Sequence, residues 1–278
     1  MIQKTKVITL ILFGLLFFDL SAQEDGFEND KVANLPDNEK KVRFGLQFSP
    51  NLSWFKANTE GYKSEGTKFG FSYGLSIEYF MTKNYLFSTG INILQTGGKL
   101  SYNGAIDVSD GRSLYVYIPA GIEAKYALKQ IEVPLLLKLR TNEVGYLTYF
   151  GGFGFNLGFN YQSSADYEVT LSPNIYDPAG FNGITNGSYS NDNVSQDINW
   201  LNIGLVIGAG VEYNISGNTS LSLGLTFNNG FINQLDAKAH ELDASGTSVA
   251  NGSEDPYLSS KSASANLNYV ALNIGIYF

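Results

Sequence analysis

From Arg43 to the last residue, apolar and polar side chains alternate with a period of two. In the first segment Phe44, Leu46, Phe48, Leu52 and Trp54 share one face, and Arg43, Gln47, Ser49, Asn51 and Ser53 share the other. The second puts Phe69, Phe71, Tyr73, Leu75, Ile77 and Tyr79 on its apolar face. The third uses Phe87, Ile91 and Ile93, and the fourth Ile131, Val133, Leu135, Leu137 and Leu139. The fifth sets Leu147, Tyr149, Phe153, Phe155, Leu157, Phe159 and Tyr161 against Gly152, Gly154, Asn156, Gly158 and Asn160. Leu201, Ile203, Leu205, Ile207 and Val211 mark the sixth segment, and Leu221, Leu223, Leu225 and Phe227 the seventh. Val270, Leu272, Ile274, Ile276 and Phe278 mark the eighth. Alternation sustained over such lengths predicts strands, not helices.

The connections order these strands. Residues 81–84, 141–144 and 215–218 make short links, whereas roughly 56–66, 103–123, 162–197 and 232–265 make long ones, and the two kinds take turns. That plan predicts an all-β, eight-stranded antiparallel up-and-down transmembrane β-barrel over residues 43–278, with tight periplasmic turns and long extracellular loops. A soluble barrel also alternates, but with its apolar face inside. The charge census separates the two. The fifth, seventh and eighth segments carry no charged residue, whereas a soluble exterior carries about 25–35%. The chain also ends on Phe278, in phase with the apolar face of the last segment.

Composition agrees with a lipid-facing β-protein. Charged residues are 16% of the chain, beside 18 Tyr, 19 Phe and 30 Gly; soluble domains average about a quarter charged. With 44% hydrophobic residues the chain is not intrinsically disordered. The absence of Cys excludes disulfides, thiolate nucleophiles and thiolate metal sites. A net charge of −8 argues against a nucleic-acid partner. Lys4 and Lys6 precede an apolar run over 7–18, and Leu20, Ser21 and Ala22 offer a cleavage site. Residues 1–22 therefore read as a secretory signal peptide, too short to span a bilayer as a helix. Residues 23–42 are polar and acidic and read as a flexible periplasmic leader.

The stretch IEVPLLLK at 131–138 resembles the hallmark strand of the PorT-like outer-membrane β-barrel domain family of Bacteroidetes-type bacteria. GLSIEYF at 74–80, STGI at 88–91, GGK at 97–99 and YFGGFG at 149–154 resemble flanking pieces of the same family. The resemblance spans about residues 43–278 and implies an outer-membrane barrel, not a shared activity. Pro134 within the hallmark strand is expected at a bulge or an unpaired position, because proline has no amide hydrogen to donate.

Candidate chemistry is sparse. His240 is the only histidine and lies with Glu241, Asp243 and Ser245 in a low-complexity stretch. Serine, histidine and carboxylate can make a nucleophilic set, but a catalytic group must be held to about half an ångström, and no apolar frame surrounds these. The glycines at 152–158 and 208–210 lie at strand spacing with no helix to follow, so they do not form a phosphate cradle. Asp107, Asp110, Asp192, Asp236 and Asp255 lack calcium-loop spacing. No catalytic residue, cofactor or metal is expected.

Two charged sets stand out by parity. Arg43, Glu78, Lys138, Arg140 and Glu212 fall on the polar, inward face near the short-turn ends of their strands, with Glu132 deeper along the fourth. Buried charges must pair, so a cross-barrel network of these six is expected to plug the periplasmic mouth. Lys99, Lys125 and Lys129 point outward near the opposite interface and are candidates for lipopolysaccharide contact. The expected function is non-enzymatic, structural or interactive, with the extracellular loops facing a protein or surface ligand and the wall facing lipid. The alternatives are a narrow diffusion pore and a lipid-modifying barrel enzyme resting on His240.

Overall fold

Eight of the strands close into a ring in which every neighbour is antiparallel. The computed structural model describes residues 41–59, 61–107, 117–171, 187–191, 193–195, 197–235, 241–243 and 264–278. The strands are β1 (Val42–Ala57), β2 (Tyr62–Gly66), β3 (Lys68–Phe80), β4 (Tyr85–Asp107), β5 (Tyr117–Arg140), β6 (Leu147–Leu171), β7 (Gly187–Asn191), β8 (Leu201–Ser216), β9 (Thr219–Asn233), β10 (Glu241–Asp243) and β11 (Ala265–Tyr277). The ring runs β1, β3, β4, β5, β6, β8, β9, β11 and back to β1. These are the eight segments the alternation picks out. Closure leaves the ring no unpaired edge, which lipid would not tolerate. His240, residues 1–40 and most of the expected loop residues lie outside the described ones.

Outward apolar residues form a continuous belt. Phe44, Leu46, Leu75, Ile77, Phe153, Phe155, Ile207, Leu223 and Leu225 all lie exposed on the wall. Aromatic residues edge the belt at both ends, as interfacial girdles do. Tyr79, Tyr85, Tyr149, Tyr213 and Phe278 stand at the turn end, and Phe69, Tyr161, Trp200 and Phe231 at the loop end. There Trp200 stacks on Phe159 with ring centroids 6.0 Å apart, and Trp54 on Phe227 at 6.3 Å. Inward positions are rich in Ser, Asn, Gly, Gln and Thr, with Leu86, Leu94, Val206 and Ala271 among them. Gly154 is one that must be glycine, since a Cβ there would collide with the Leu135 carbonyl of β5. Pro134 sits where the β4–β5 ladder skips: Thr89 pairs with Leu135 and Asn92 with Glu132, leaving Val133 and Pro134 without β4 partners. Pro134 keeps its register with Asn156 of β6, so the gap left by the missing amide hydrogen falls on the β4 side alone.

The wall has unequal height, and here the structure corrects the expected loops. β4, β5 and β6 run for 23, 24 and 25 residues, against 13 to 16 for the other wall strands. Parts of the spans read as loops at 56–66, 103–123 and 162–197 are thus strand. β2 pairs with β4 beyond the end of β3, β10 runs parallel to the last residues of β4, and β7 pairs with β6 beyond the end of β8, so a six-stranded sheet stands above the barrel. The physical reason is an inversion of polarity. Above the belt, Glu123, Lys125, Asp166 and Glu168 face outward, while Ile122, Ala124, Tyr126, Leu128, Ala165, Tyr167 and Val169 are buried inward. On β6 a bulge at Tyr161 achieves it, since Lys129 pairs with Gln162 and Gln130 with Asn160. Outside lipid the exterior is water, so burial of apolar side chains now favours the interior.

Candidate functional site

Three layers fill the interior. At the turn end Arg43 and Glu78 are direct register partners on β1 and β3. Arg43 Nε donates to Glu78 Oε2 at 2.5 Å, and its Nη2 reaches Glu212 Oε1 on β8 at 2.7 Å. Lys138 Nζ, from β5, lies 2.9 Å from Glu78 Oε1 and 2.7 Å from Glu212 Oε1. Arg140 Nη2 donates to Glu212 Oε2 at 2.8 Å. Both carboxylates are almost fully buried. Aromatic faces absorb the surplus positive charge: Arg43 lies 4.5 Å from the Tyr277 ring centroid, and Lys138 3.9 Å from that of Phe150. The layer therefore spans the lumen from four strands. Below it a mouth of about 200 Å³ opens between Arg140, Glu143, Thr148 and Asn214.

Glu132 does not join this layer, which corrects the expected six-residue network. It lies six residues from Lys138 on the same strand, about 20 Å along an extended chain. Among the described residues it makes no ion pair. Instead its carboxylate accepts from the Tyr269 hydroxyl at 2.8 Å, and that hydroxyl in turn accepts from Asn156 Nδ2 at 2.9 Å. Glu132, Asn92, Asn156 and Tyr269 line a cavity of about 110 Å³ in the middle of the barrel. Above it Gln130, Asn160, Asn202 and Gln234 bond to one another across the lumen.

The third layer is an apolar core at the loop end, which sequence reasoning missed. Phe55, Leu100, Tyr102, Ile122, Tyr126, Leu128, Tyr167 and Leu267 pack together, joined by Val194, Ile198 and Leu235 from the chain that folds back into the mouth. Ile198 bridges to Leu235, and the Val194 amide donates to the Ser163 carbonyl at 3.0 Å. Burial, with the neighbouring phenols and the Asp197 carboxylate, pushes the Tyr126 phenol up; burial and Asp197 do the same to Tyr167. The available signal was on β5: apolar residues sit at odd positions from 131 to 139 and at even ones from 122 to 128.

The outward lysines occupy the level at which polarity inverts. Lys99 and Lys125 are direct register partners, so Lys99 faces Lys125 and not Lys129. Lys129 lies opposite Gln95 and Gln162, and its Nζ donates to Gln162 Oε1 at 3.1 Å. Chemically, the charge layer is saturated, since each of its carboxylates holds at least two cations. No set of three His, Cys, Asp or Glu side chains converges among the described residues.

Among curated proteins none matches this chain significantly. Solved barrels are similar at low identity. Neisserial surface protein A is 13% identical, with 84% of this chain and 95% of that one covered and a TM-score of 0.39. OprG of Pseudomonas aeruginosa is 11% identical with the same coverages and TM-score. The attachment invasion locus protein of Yersinia pestis is 14% identical, covering 86% and 100%, with a TM-score of 0.32. The profile of the outer membrane protein β-barrel domain matches residues 22–236, well over half of the sequence; the chain belongs to that family and is a bacterial outer-membrane β-barrel.

Proposed function

We propose that this chain is a non-enzymatic, PorT-like barrel of the Bacteroidetes type, exported by the signal peptide at 1–22, whose role is structural or interactive. The observation that carries this is closure of the lumen at both ends. A network of five ion pairs closes it on the periplasmic side and an apolar core fills it on the other. Eight-stranded barrels have interiors that side chains nearly fill, and here the filling is ordered into two barriers. What remains accessible is the extracellular sheet of β2, β10, β4, β5, β6 and β7, a platform with a charged outer face resting on that core. Such a platform offers a surface for a protein or other extracellular ligand.

A narrow pore is the second reading, favoured by the two cavities, one at the turn-end mouth and one in the middle of the lumen. Planar-bilayer recording separates them: the purified wild-type barrel is expected to stay silent, and stable unitary openings would overturn the closed-lumen function. A lipid-modifying activity would rest on His240 alone. We expect a His240→Ala strain to show an unchanged lipid A mass profile.

A further inference from the structure

We propose that Lys99 and Lys125, with Lys68 and Lys129 beside them, bind the phosphate groups of a phosphorylated lipid headgroup such as lipid A on the outer wall. The first observation is the pairing itself. Two lysines directly opposite on adjacent strands repel, and here they share the outer face of β4 and β5. Lys68 adds a third charge. Its stem lies in the gap left by Gly97, where a Cβ would meet the lysine Cδ, and its ammonium is within electrostatic reach of both Lys125 and Asp166. Among the described residues none of the four makes an ion pair. Lys68 donates to the Tyr126 carbonyl at 3.4 Å, and Lys129 to the Gln162 amide oxygen. Both acceptors are neutral.

Depth supplies the second observation. The apolar belt ends at Ile93, Ile131 and Phe159, and Lys129 follows within one alternation of Ile131. That is the headgroup level of the leaflet on the loop side. The third is the order of charges along the wall. Glu123 and Glu168 are register partners one alternation further from the membrane, and Glu65 accepts there from Ser101 at 2.7 Å. Asp166 is level with Lys125 as its register partner on β6 and accepts from Ser190 at 2.7 Å. A soluble anion arriving from water must pass Glu65, Glu123 and Glu168. A lipid phosphate approaches from the opposite side and does not.

Thermal unfolding of the purified full chain in detergent tests this, with diphosphorylated lipid A, dephosphorylated lipid A or inorganic phosphate added. Diphosphorylated lipid A should raise the wild-type melting temperature, and the other two should not. In a Lys99→Gln/Lys125→Gln variant the apparent affinity should fall roughly thirtyfold, at about fivefold per lysine. Lys63→Gln, on the same platform but level with the acidic row of Glu123 and Glu168, should behave as wild type. Without lipid the double variant should be at least as heat-stable as wild type, because a repulsion has been removed. An unchanged lipid A response in the double variant overturns the site. So does lower stability of the lipid-free variant, and a response to inorganic phosphate overturns the lipid as its source. A barrel lacking this site would still present the same extracellular platform.

Discussion

Glu212 holds three cations with two oxygens: Arg43 and Lys138 on Oε1, Arg140 on Oε2. Replacing it with alanine strands those cations in a layer that excludes most water. Glu212→Ala should therefore cost roughly 3–5 kcal/mol, as loss of one partner from a buried network does. Lys129→Ala, on the outer wall, should change stability by about 0–1 kcal/mol. Urea unfolding in detergent compares the two, and similar costs would show that the layer is hydrated. Gly154 makes a second test, since its inward Cβ position is taken by the Leu135 carbonyl. Gly154→Ala should lose about 1–3 kcal/mol, the usual cost of overpacking. At this scale parity alone placed Arg43, Glu78, Lys138, Arg140 and Glu212 inside. It could not place Tyr277 and Phe150 under their charges, because ring contacts across a lumen depend on strand tilt and stagger.

Among the elements, the tall β4, β5 and β6 carry the burden of the extracellular end. Their apolar face meets Phe55 of β1, which is fully buried and edge-on to Tyr126 at 5.7 Å. Phe55→Ala should remove about 3–5 kcal/mol from that core while the lipid-embedded belt stays intact. Limited proteolysis should then cut the platform and leave a protected barrel fragment. The same core should be sensitive to alkali. Burial raises the phenols of Tyr102, Tyr126 and Tyr167 above their ordinary value, so the folded platform prefers them neutral. Their contribution is complete below the unfolded value near pH 10 and is lost as pH rises from there towards the folded values. Faster proteolysis of the platform at pH 11 than at pH 8, with the belt unaffected, is the expected result. Strand identity was legible here, but strand length was not. On β5 the periodicity continues past the membrane with its apolar phase reversed, which in sequence looks like a strand ending. On β6 the phase runs on through Ala165, Tyr167 and Val169, and the bulge at Tyr161 turns it inward.

For the whole molecule, the alternation of short and long connections sets the orientation. Lys63, exposed on β2, should react with an impermeant maleimide on intact cells when changed to cysteine, whereas Lys83→Cys in the short turn between β3 and β4 should stay silent. The reverse pattern would invert the barrel. The sequence by itself determined the number of wall strands, their order and the face each turns to lipid, but not β2, β7 and β10 above the wall. A period of two, a lipid solvent and short turns leave few other ways to satisfy the backbone. It also determined which charges lie inside. Only the tertiary structure decided which charges meet. Arg43 and Glu78 do so as neighbours in one ladder, Lys138 reaches Glu78 and Glu212 across the lumen, and Glu132 stands too far along β5 to take part. Closure of the loop end was likewise a tertiary outcome. Phe55, Tyr126, Ile198 and Leu235 come from distant parts of the chain, and nothing local in their segments shows that they bury one another. Parity says which side of the wall a residue faces; only the barrel's stagger says what it finds there.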